Sequence, residues 1–124
     1  MELMAVAKQL VERVRDGDGT RLLDEIYDED ARSIEAWSPE GQDRETRGLD
    51  ALRGKHAWWD EHMETHAMEV EGPFPHGHDK FAVIYQVDAT DRSNDQRFQM
   101  REVAVYTVAD GKITREEFFY DRPG

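Results

Sequence analysis

The chain of 124 residues is long enough for one hydrophobic core, and its net charge of −12 at pH 7 makes it strongly acidic. This charge repels phosphate backbones and anionic bilayers, so we expect neither nucleic acid nor a membrane as a partner. The chain has no cysteine, which excludes disulfides, thiol nucleophiles and thiolate metal ligands. The amino-terminal segment lacks the features of a signal peptide, so we expect a cytoplasmic protein with a single domain over residues 1–124.

Two amphipathic helices are predicted at the amino terminus. The first has apolar residues at helical spacing, namely Leu3, Val6, Leu10 and Val14. Gly17 suits the end of this helix because glycine readily adopts the left-handed conformation found at helix C-termini. A second short helix is predicted from about Asp18, and its apolar residues are Leu22, Leu23, Ile26 and Tyr27.

The middle of the chain predicts strands around a third helix. Residues 31–37 predict a first strand, and the polar residues 38–48 predict a loop. The third helix is predicted from about Leu49 to Met63. Two further strands follow, over 65–74 and 80–90, and we expect Gly72-Pro73 to end the first of them.

The last quarter of the chain carries the clearest pattern, a β-hairpin. Asp110-Gly111 separates RFQMREVAVYTVA from KITREEFFYD, and Asp-Gly between two runs rich in β-branched and aromatic residues is a strong hairpin signal. Helices that precede a run of strands indicate an α+β fold. We therefore expect a curved, mostly antiparallel sheet with three N-terminal helices covering one face.

Each arm of the hairpin places a glutamate in phase with large apolar side chains. Alternation groups Glu102 with Phe98, Met100, Ala104 and Tyr106, and it groups Glu116 with Phe118 and Tyr120. A glutamate on an apolar face must be paired, stay protonated or border a cavity. The pattern therefore marks both glutamates as candidate functional groups.

The hairpin register decides whether the two glutamates share a face. A two-residue turn pairs residues whose numbers sum to about 221, which sets Glu102 opposite Phe119 and Glu116 opposite Val105. The two carboxylates would then point to opposite faces of the sheet. A β-bulge in either arm would shift the register and bring them together, and the sequence leaves both arrangements open.

The order of elements, with GLDAL opening the third helix and ADGKI and EEFFYD near the end, resembles the SnoaL-like family of the nuclear transport factor 2-like superfamily. The resemblance covers nearly the whole chain and implies a cone-shaped half-barrel whose helices close one end of a pocket. It implies cofactor-independent acid–base chemistry, of isomerase, cyclase or dehydratase type, on a small apolar carbonyl or hydroxyl compound. Superfamily members also include non-catalytic binding modules, which is the alternative function.

The resemblance also implies a homodimer in which sheet packs against sheet. The apolar residues on the second face of the long strands, Val103, Val105 and Phe119, would suit such an interface. A dimerisation module that uses the same fold is part of the alternative function.

The candidate site residues are acid–base groups and groups that line a cavity. The candidate catalytic residues are Glu102, His66, Glu116 and Tyr85, because a carboxyl or imidazole can transfer protons and a tyrosine hydroxyl can polarise a carbonyl. The candidate ligand-binding residues are Trp37, Lys55, Trp59, His62, Met100, Tyr106, Phe118 and Tyr120. Packing, pairing with a neighbouring arginine, or solvation is the structural alternative for each of them.

The sequence contains no nucleotide-binding or metal-binding motif. It has no G-x-G-x-x-G loop, no phosphate loop and no nucleophile elbow. His62 and His66 are four residues apart, but the residues between them do not form the H-E-x-x-H zinc signature. We therefore expect neither a cofactor nor a metal.

Overall fold

A computed structural model describes residues 2–121. The elements in chain order are α1 (Leu3–Arg15), a 3-10 turn (Gly19–Arg21), α2 (Leu22–Glu25), β1 (Tyr27–Ile34), β2 (Glu45–Arg47), α3 (Leu49–His62), β3 (Met63–His76), β4 (Lys80–Asp91), β5 (Gln96–Ala109) and β6 (Lys112–Phe119). The strands form one sheet in the order β2-β1-β6-β5-β4-β3. The β1–β6 pair is parallel and the other four pairs are antiparallel.

The hydrophobic core lies between the helices and the concave face of the curved sheet. Every second residue of β4 from Phe81 to Ala89 is buried, and these side chains point to the core. Helix α1 buries Val6, Ala7, Leu10 and Val11 against these core side chains and packs on strands β3 and β4. The predicted α+β cone, with helices over one face of a mostly antiparallel sheet, is confirmed.

The end of α1 follows from a glycine in the left-handed region. Gly17 has φ +78°, and its N–H donates to the carbonyl of Val14, while the N–H of Asp18 donates to the carbonyl of Arg13. These two bonds form a Schellman motif, which satisfies carbonyls that the helix leaves unpaired. The predicted helix stop is therefore confirmed at Gly17.

The first strand lies earlier in the chain than the sequence predicted. The structure has it at Tyr27–Ile34 instead of 31–37, so the prediction that Tyr27 belongs to the second helix is wrong. The N–H of Ile113 donates to the carbonyl of Ile26, and Tyr27 pairs with Ile113 in the parallel ladder. Pairing with β6 overrides the helical spacing of this segment, because tertiary contacts outweigh local propensity.

Two other boundaries differ from the sequence predictions. The short edge strand β2 lies within the predicted loop 38–48, and its polar residues carry no alternating pattern that could have revealed it. Gly72-Pro73 does not end β3, because the register passes from the Glu71–Ile84 pair to the Phe74–Ala82 pair through a bulge that contains both residues. Proline is tolerated at such a bulge since no ladder hydrogen bond is lost there.

The hairpin of β5 and β6 forms as predicted, and a bulge decides its register. Asp110 and Gly111 have φ +52° and +75°, as a type I′ turn requires. The predicted register holds for Ala109–Lys112 and Val108–Ile113, but the next pair is Thr107–Arg115. Thr114 is the extra residue, and its hydroxyl donates to the carbonyl of Thr107 over 3.3 Å.

The bulge brings the two candidate glutamates to the same face of the sheet. Beyond Thr114, Tyr106 lies opposite Glu116 and Ala104 lies opposite Phe118. Alternation along β5 then places Glu102 on the concave face with Tyr106. Of the two arrangements that the sequence left open, the structure has the bulged one. Within residues 2–121, no helix has the length and apolar character needed to cross a membrane.

Candidate active site

Glu116 is a buried carboxylate held by two hydroxyl groups from β1. Only 4% of the residue is exposed. The hydroxyl of Tyr27 donates to Oε1, and the hydroxyl of Ser33 donates to Oε2 over 2.7 Å. Ser33 lies beside Glu116 because the parallel register pairs these two residues. The two donors offset the loss of water that a buried carboxylate suffers.

Lys55 of α3 connects this buried carboxylate to the rim of the concave face. Its Nζ donates to the hydroxyl oxygen of Ser33 over 2.7 Å and lies 2.8 Å from Oε1 of Glu35. The same Nζ lies 5.0 Å from the centroid of the Phe118 ring, within range of a cation–π contact. The hydroxyl of Tyr120 donates to Oε2 of Glu35 over 3.2 Å.

These contacts form one continuous chain of polar groups, which runs through Tyr27, Glu116, Ser33, Lys55, Glu35 and Tyr120. Strand β1, helix α3 and the β6 segment each contribute to it. Burial, followed by the carboxylate of Glu35, raises the pKa of Tyr120 to about 12, so this tyrosine keeps its proton and acts as a donor. The chain fixes the positions of two carboxylates and one ammonium group.

Glu102 lies next to this chain but outside it. The residue is half-buried on β5, opposite Tyr85 of β4. Burial, together with the negative charges of Glu35 and Glu116, raises the pKa of Glu102 to about 7, although the Lys55 ammonium acts in the opposite direction. A carboxyl group that titrates near neutral pH can both accept and return a proton.

Two buried tyrosines lie beside Glu102. The hydroxyls of Tyr85 and Tyr106 are 2.6 Å apart, and the ring of Tyr106 stacks on that of Phe81 at 5.0 Å between centroids. Burial raises the pKa of both tyrosines, so both keep their protons. Their mutual hydrogen bond uses one of the two hydroxyl protons, and the other is available to a further acceptor.

Half-buried apolar side chains lie around these polar groups. Met100 lies opposite Val87, and Trp59 meets Phe98 edge to face with 6.5 Å between ring centroids. The indole N–H of Trp59 donates to the hydroxyl of Thr65 over 3.2 Å, which fixes the orientation of the ring. Partial exposure of these side chains lets an apolar molecule contact them from solution.

Two of the sequence candidates lie apart from the central polar groups. His66 is exposed, sits at a bulge of β3 and contacts the hydroxyl of Thr90 at 2.6 Å on the outer face of the sheet. His62 stacks on Trp58 at the end of α3, with 4.6 Å between ring centroids. Trp37 follows β1, is half-buried, and is joined to Tyr120 by a hydrogen bond of its backbone.

Sequence reasoning left three of the connecting residues and one histidine out of the candidate set. Tyr27 was assigned to a helix, and the partners of Ser33 and Glu35 depend on the parallel pairing of β1 with β6. Alternation along β1 does place Ser33 and Glu35 on one face, which was the available signal. His56, beside Lys55, is half-buried, and its pKa is lowered chiefly by burial.

Two depressions elsewhere on the surface do not involve this cluster. Two shallow depressions of about 380 and 440 Å³ lie on the surface of α1 and beside β2, and neither is lined by Glu102 or Glu116. Within residues 2–121, no group of three or more histidine or acidic side chains is arranged to hold a metal ion.

The fold and its structural matches define the class of protein. The chain forms a cone of the nuclear transport factor 2 type, and it superposes with a TM-score of 0.72 on a protein of that class from Burkholderia xenovorans that is 21% identical, over 95% of this chain and 88% of the other. The chain belongs to the SnoaL-like domain family, whose model matches residues 1–120. No curated protein sequence matches it.

Two further solved structures resemble this chain. A protein from Mesorhizobium loti with the provisional name SnoaL-like polyketide cyclase is 37% identical, covers 97% of this chain and 100% of its own, and gives a TM-score of 0.90. A Bacillus subtilis protein provisionally named an isomerase is 15% identical, covers 95% and 85%, and gives a TM-score of 0.75. At this identity the second match shows the fold alone.

Proposed function

We propose that this protein is a cofactor-independent acid–base catalyst that acts on a small apolar compound with a carbonyl or hydroxyl group. The observation that carries the proposal is the position of Glu102, a half-buried carboxyl on the concave face beside a buried pair of tyrosine hydroxyls. A proton-transfer group with a pKa of about 7 and a hydrogen-bond donor near it are the two parts that such a reaction requires.

The residues then divide into a base, a donor and positioning groups. The Glu102 carboxylate removes a proton from the carbon next to the substrate carbonyl, and the electron pair of that C–H bond moves into the carbonyl. The free hydroxyl proton of the Tyr85–Tyr106 pair stabilises the resulting oxyanion. The protonated Glu102 then returns its proton to carbon. Return to the same position gives proton exchange, and return to a conjugated position completes an isomerisation.

The hydrogen-bonded chain around Glu116 serves as support in this proposal. It holds Lys55 and Glu35 in fixed positions, so the charges that tune the pKa of Glu102 do not move during the reaction. Met100, Trp59 and Phe118 supply apolar contacts for the substrate. His66 takes no part, because it lies on the outer face of the sheet.

One relative supports an enzymatic function. The Mesorhizobium loti protein, which is 37% identical to this chain, has the provisional name polyketide cyclase. The acidic, cysteine-free composition is compatible with action in a reducing cytoplasm.

Deuterium exchange at carbon tests the proposal without knowledge of the natural substrate. We expect the protein to accelerate exchange of the α-protons of 2-tetralone and cyclohex-2-enone in D2O, followed by ¹H NMR, with a rate that rises with pH to a plateau above about pH 7. Glu102→Gln removes the base and should abolish the acceleration. Glu64→Gln, on the exposed outer face of β3, is the matched control and should retain it.

Two results would contradict the proposal. One is the absence of exchange above the buffer rate with the wild-type protein. The other is equal exchange by wild type and Glu102→Gln. If Glu102→Gln binds the ketones as wild type does while neither protein catalyses exchange, the non-catalytic binding module is the correct function.

We further propose that the protein is a homodimer that packs through the outer face of the sheet. Val103, Val105 and Phe119 lie on that face, and Phe119 is 49% exposed. Exposed aromatic surface on a sheet is typical of an interaction site. Light scattering coupled to gel filtration should give a dimer for wild type and a monomer for Phe119→Glu, whereas a wild-type monomer would contradict the proposal.

A further inference from the structure

The concave site contains more negative than positive charge. Among residues 2–121, its carboxyl groups are Glu35, Glu102 and Glu116, and its ammonium group is that of Lys55. His56 does not restore the balance, because burial lowers its pKa and keeps the imidazole neutral at neutral pH. Negative charge therefore dominates this half-buried region once Glu102 ionises.

The ammonium group of Lys55 already has partners in the site. Lys55 contacts the carboxylate of Glu35 at 2.8 Å and the hydroxyl of Ser33 at 2.7 Å. An anionic ligand would have to break this ion pair and would still face the carboxylate of Glu116. Like charges in a partly desolvated region repel strongly because little water screens them.

Lys55 also shows how the site accommodates a positive charge. Its ammonium group is held by a carboxylate, a hydroxyl oxygen and the face of the Phe118 ring at 5.0 Å. The same three kinds of group occur a short way along the concave face. Glu102 supplies a carboxyl, the Tyr85–Tyr106 pair supplies hydroxyl oxygens, and Trp59 supplies an aromatic ring.

We propose that the concave site selects compounds that carry a protonated amine and rejects carboxylates and phosphates. This inference rests on the proposed function only in placing the ligand beside Glu102, and it narrows the substrate to an amine-bearing carbonyl or hydroxyl compound. The amine binds next to the Glu102 carboxylate, and an aromatic or aliphatic body packs on Met100 and Trp59.

Binding of such a cation is coupled to the ionisation of Glu102. A nearby positive charge favours the carboxylate, so the ligand should release a proton at pH values slightly below 7. The other titratable and charged groups of β1, β4, β5, β6 and α3 that face this part of the site are Tyr27, Glu35, Tyr85, Tyr106, Glu116, Tyr120, Lys55 and His56. Glu35, Lys55 and Glu116 act electrostatically on Glu102, so replacing Glu102 alone isolates its contribution.

Three probes of matched shape test the charge preference. 2-Naphthylmethylamine, 2-naphthalenemethanol and 2-naphthoate share one ring system and differ in charge. We expect ¹H–¹⁵N NMR titrations at pH 8 to give amine binding roughly tenfold tighter than alcohol binding, with no saturation by naphthoate. Glu102→Gln should weaken amine binding until its affinity is close to that of the alcohol, and Glu64→Gln should leave the binding of both compounds unchanged.

The titrations can overturn the inference independently of the proposed catalysis. Naphthoate binding as tight as amine binding, an amine preference that survives Glu102→Gln, or failure of all three probes to bind would each overturn it. Deuterium exchange into the neutral ketones remains the measure of catalysis. Exchange that depends on Glu102 without an amine preference leaves the proposed function in place, and an amine preference without exchange leaves the charge selection in place.

Discussion

Replacement of Glu102 by glutamine should change how stability depends on pH. In the folded protein the pKa of Glu102 is raised from 4.5 to about 7, whereas the unfolded chain has the ordinary value. The folded state therefore holds the proton more tightly, and ionisation costs it more than it costs the unfolded state. The stability that the protonated Glu102 gives to the folded state is present in full below pH 4.5 and is lost as the pH rises through 7.

The size of this loss follows from the pKa difference. At ~1.36 kcal/mol per unit, the change from 4.5 to about 7 corresponds to about 3 kcal/mol, and water at a half-buried group reduces it to about 2 kcal/mol. Glutamine cannot ionise, so the variant escapes the loss. We expect the free energy of unfolding of Glu102→Gln, relative to wild type, to rise by about 2 kcal/mol between pH 4.5 and pH 8.

Urea denaturation followed by tryptophan fluorescence at several pH values measures this difference directly. Any constant offset between amide and carboxylic acid is present at every pH and cancels in the comparison. Glu64→Gln, which removes an exposed carboxyl, controls for net charge and should show little pH dependence relative to wild type. A Glu102→Gln offset that is the same at pH 4.5 and pH 8 would refute the reasoning.

Four other substitutions probe the support of the site and the fold. Tyr27→Phe removes a hydrogen-bond donor to the buried Glu116 carboxylate. In urea denaturation this should lower the free energy of unfolding by about 1.5–3 kcal/mol. A loss under about 0.5 kcal/mol would mean that this bond is not formed. Gly111→Ala places a side chain at φ +75° and should lower the free energy of unfolding by about 1 kcal/mol. Gly54→Ala in α3 has open space around the added methyl group and should raise the free energy of unfolding by about 0.5–1 kcal/mol. Equal thermal shifts for the two variants would contradict this contrast. Leu10→Ala leaves a cavity at a buried position and should cost about 3–5 kcal/mol, and a loss under about 1 kcal/mol would show that the core collapses around it.

Sequence patterns correctly predicted the structural elements that neighbouring residues determine. The β5–β6 turn depends on Asp110-Gly111, and the end of α1 depends on Gly17, so both could be read from a few neighbouring residues. Strand β1 begins earlier than predicted because Tyr27 pairs with Ile113, a residue far along the chain. No local pattern contains that contact.

The candidate site was predictable in its residue types but not in its connections. Alternation identified Glu102 and Glu116 as carboxyl groups on apolar faces, and both lie on the concave face. The donors to Glu116 come from β1, which meets β6 only through a parallel pairing. His66 carried the same kind of signal as the glutamates, but a bulge at its position places it on the outer face.

The bulge at Thr114 sets which side chains of β6 face the interior. Because side chains alternate along a strand, a hairpin that paired Thr114 with Thr107 would turn Arg115, Glu117 and Phe119 towards the helices and expose Glu116 and Phe118. Deletion of Thr114, by contrast, would leave Arg115 opposite Thr107 and Glu116 opposite Tyr106, so the site would keep its lining. The orientation of these side chains therefore depends on one local irregularity of the backbone, which point substitutions elsewhere in the site leave in place.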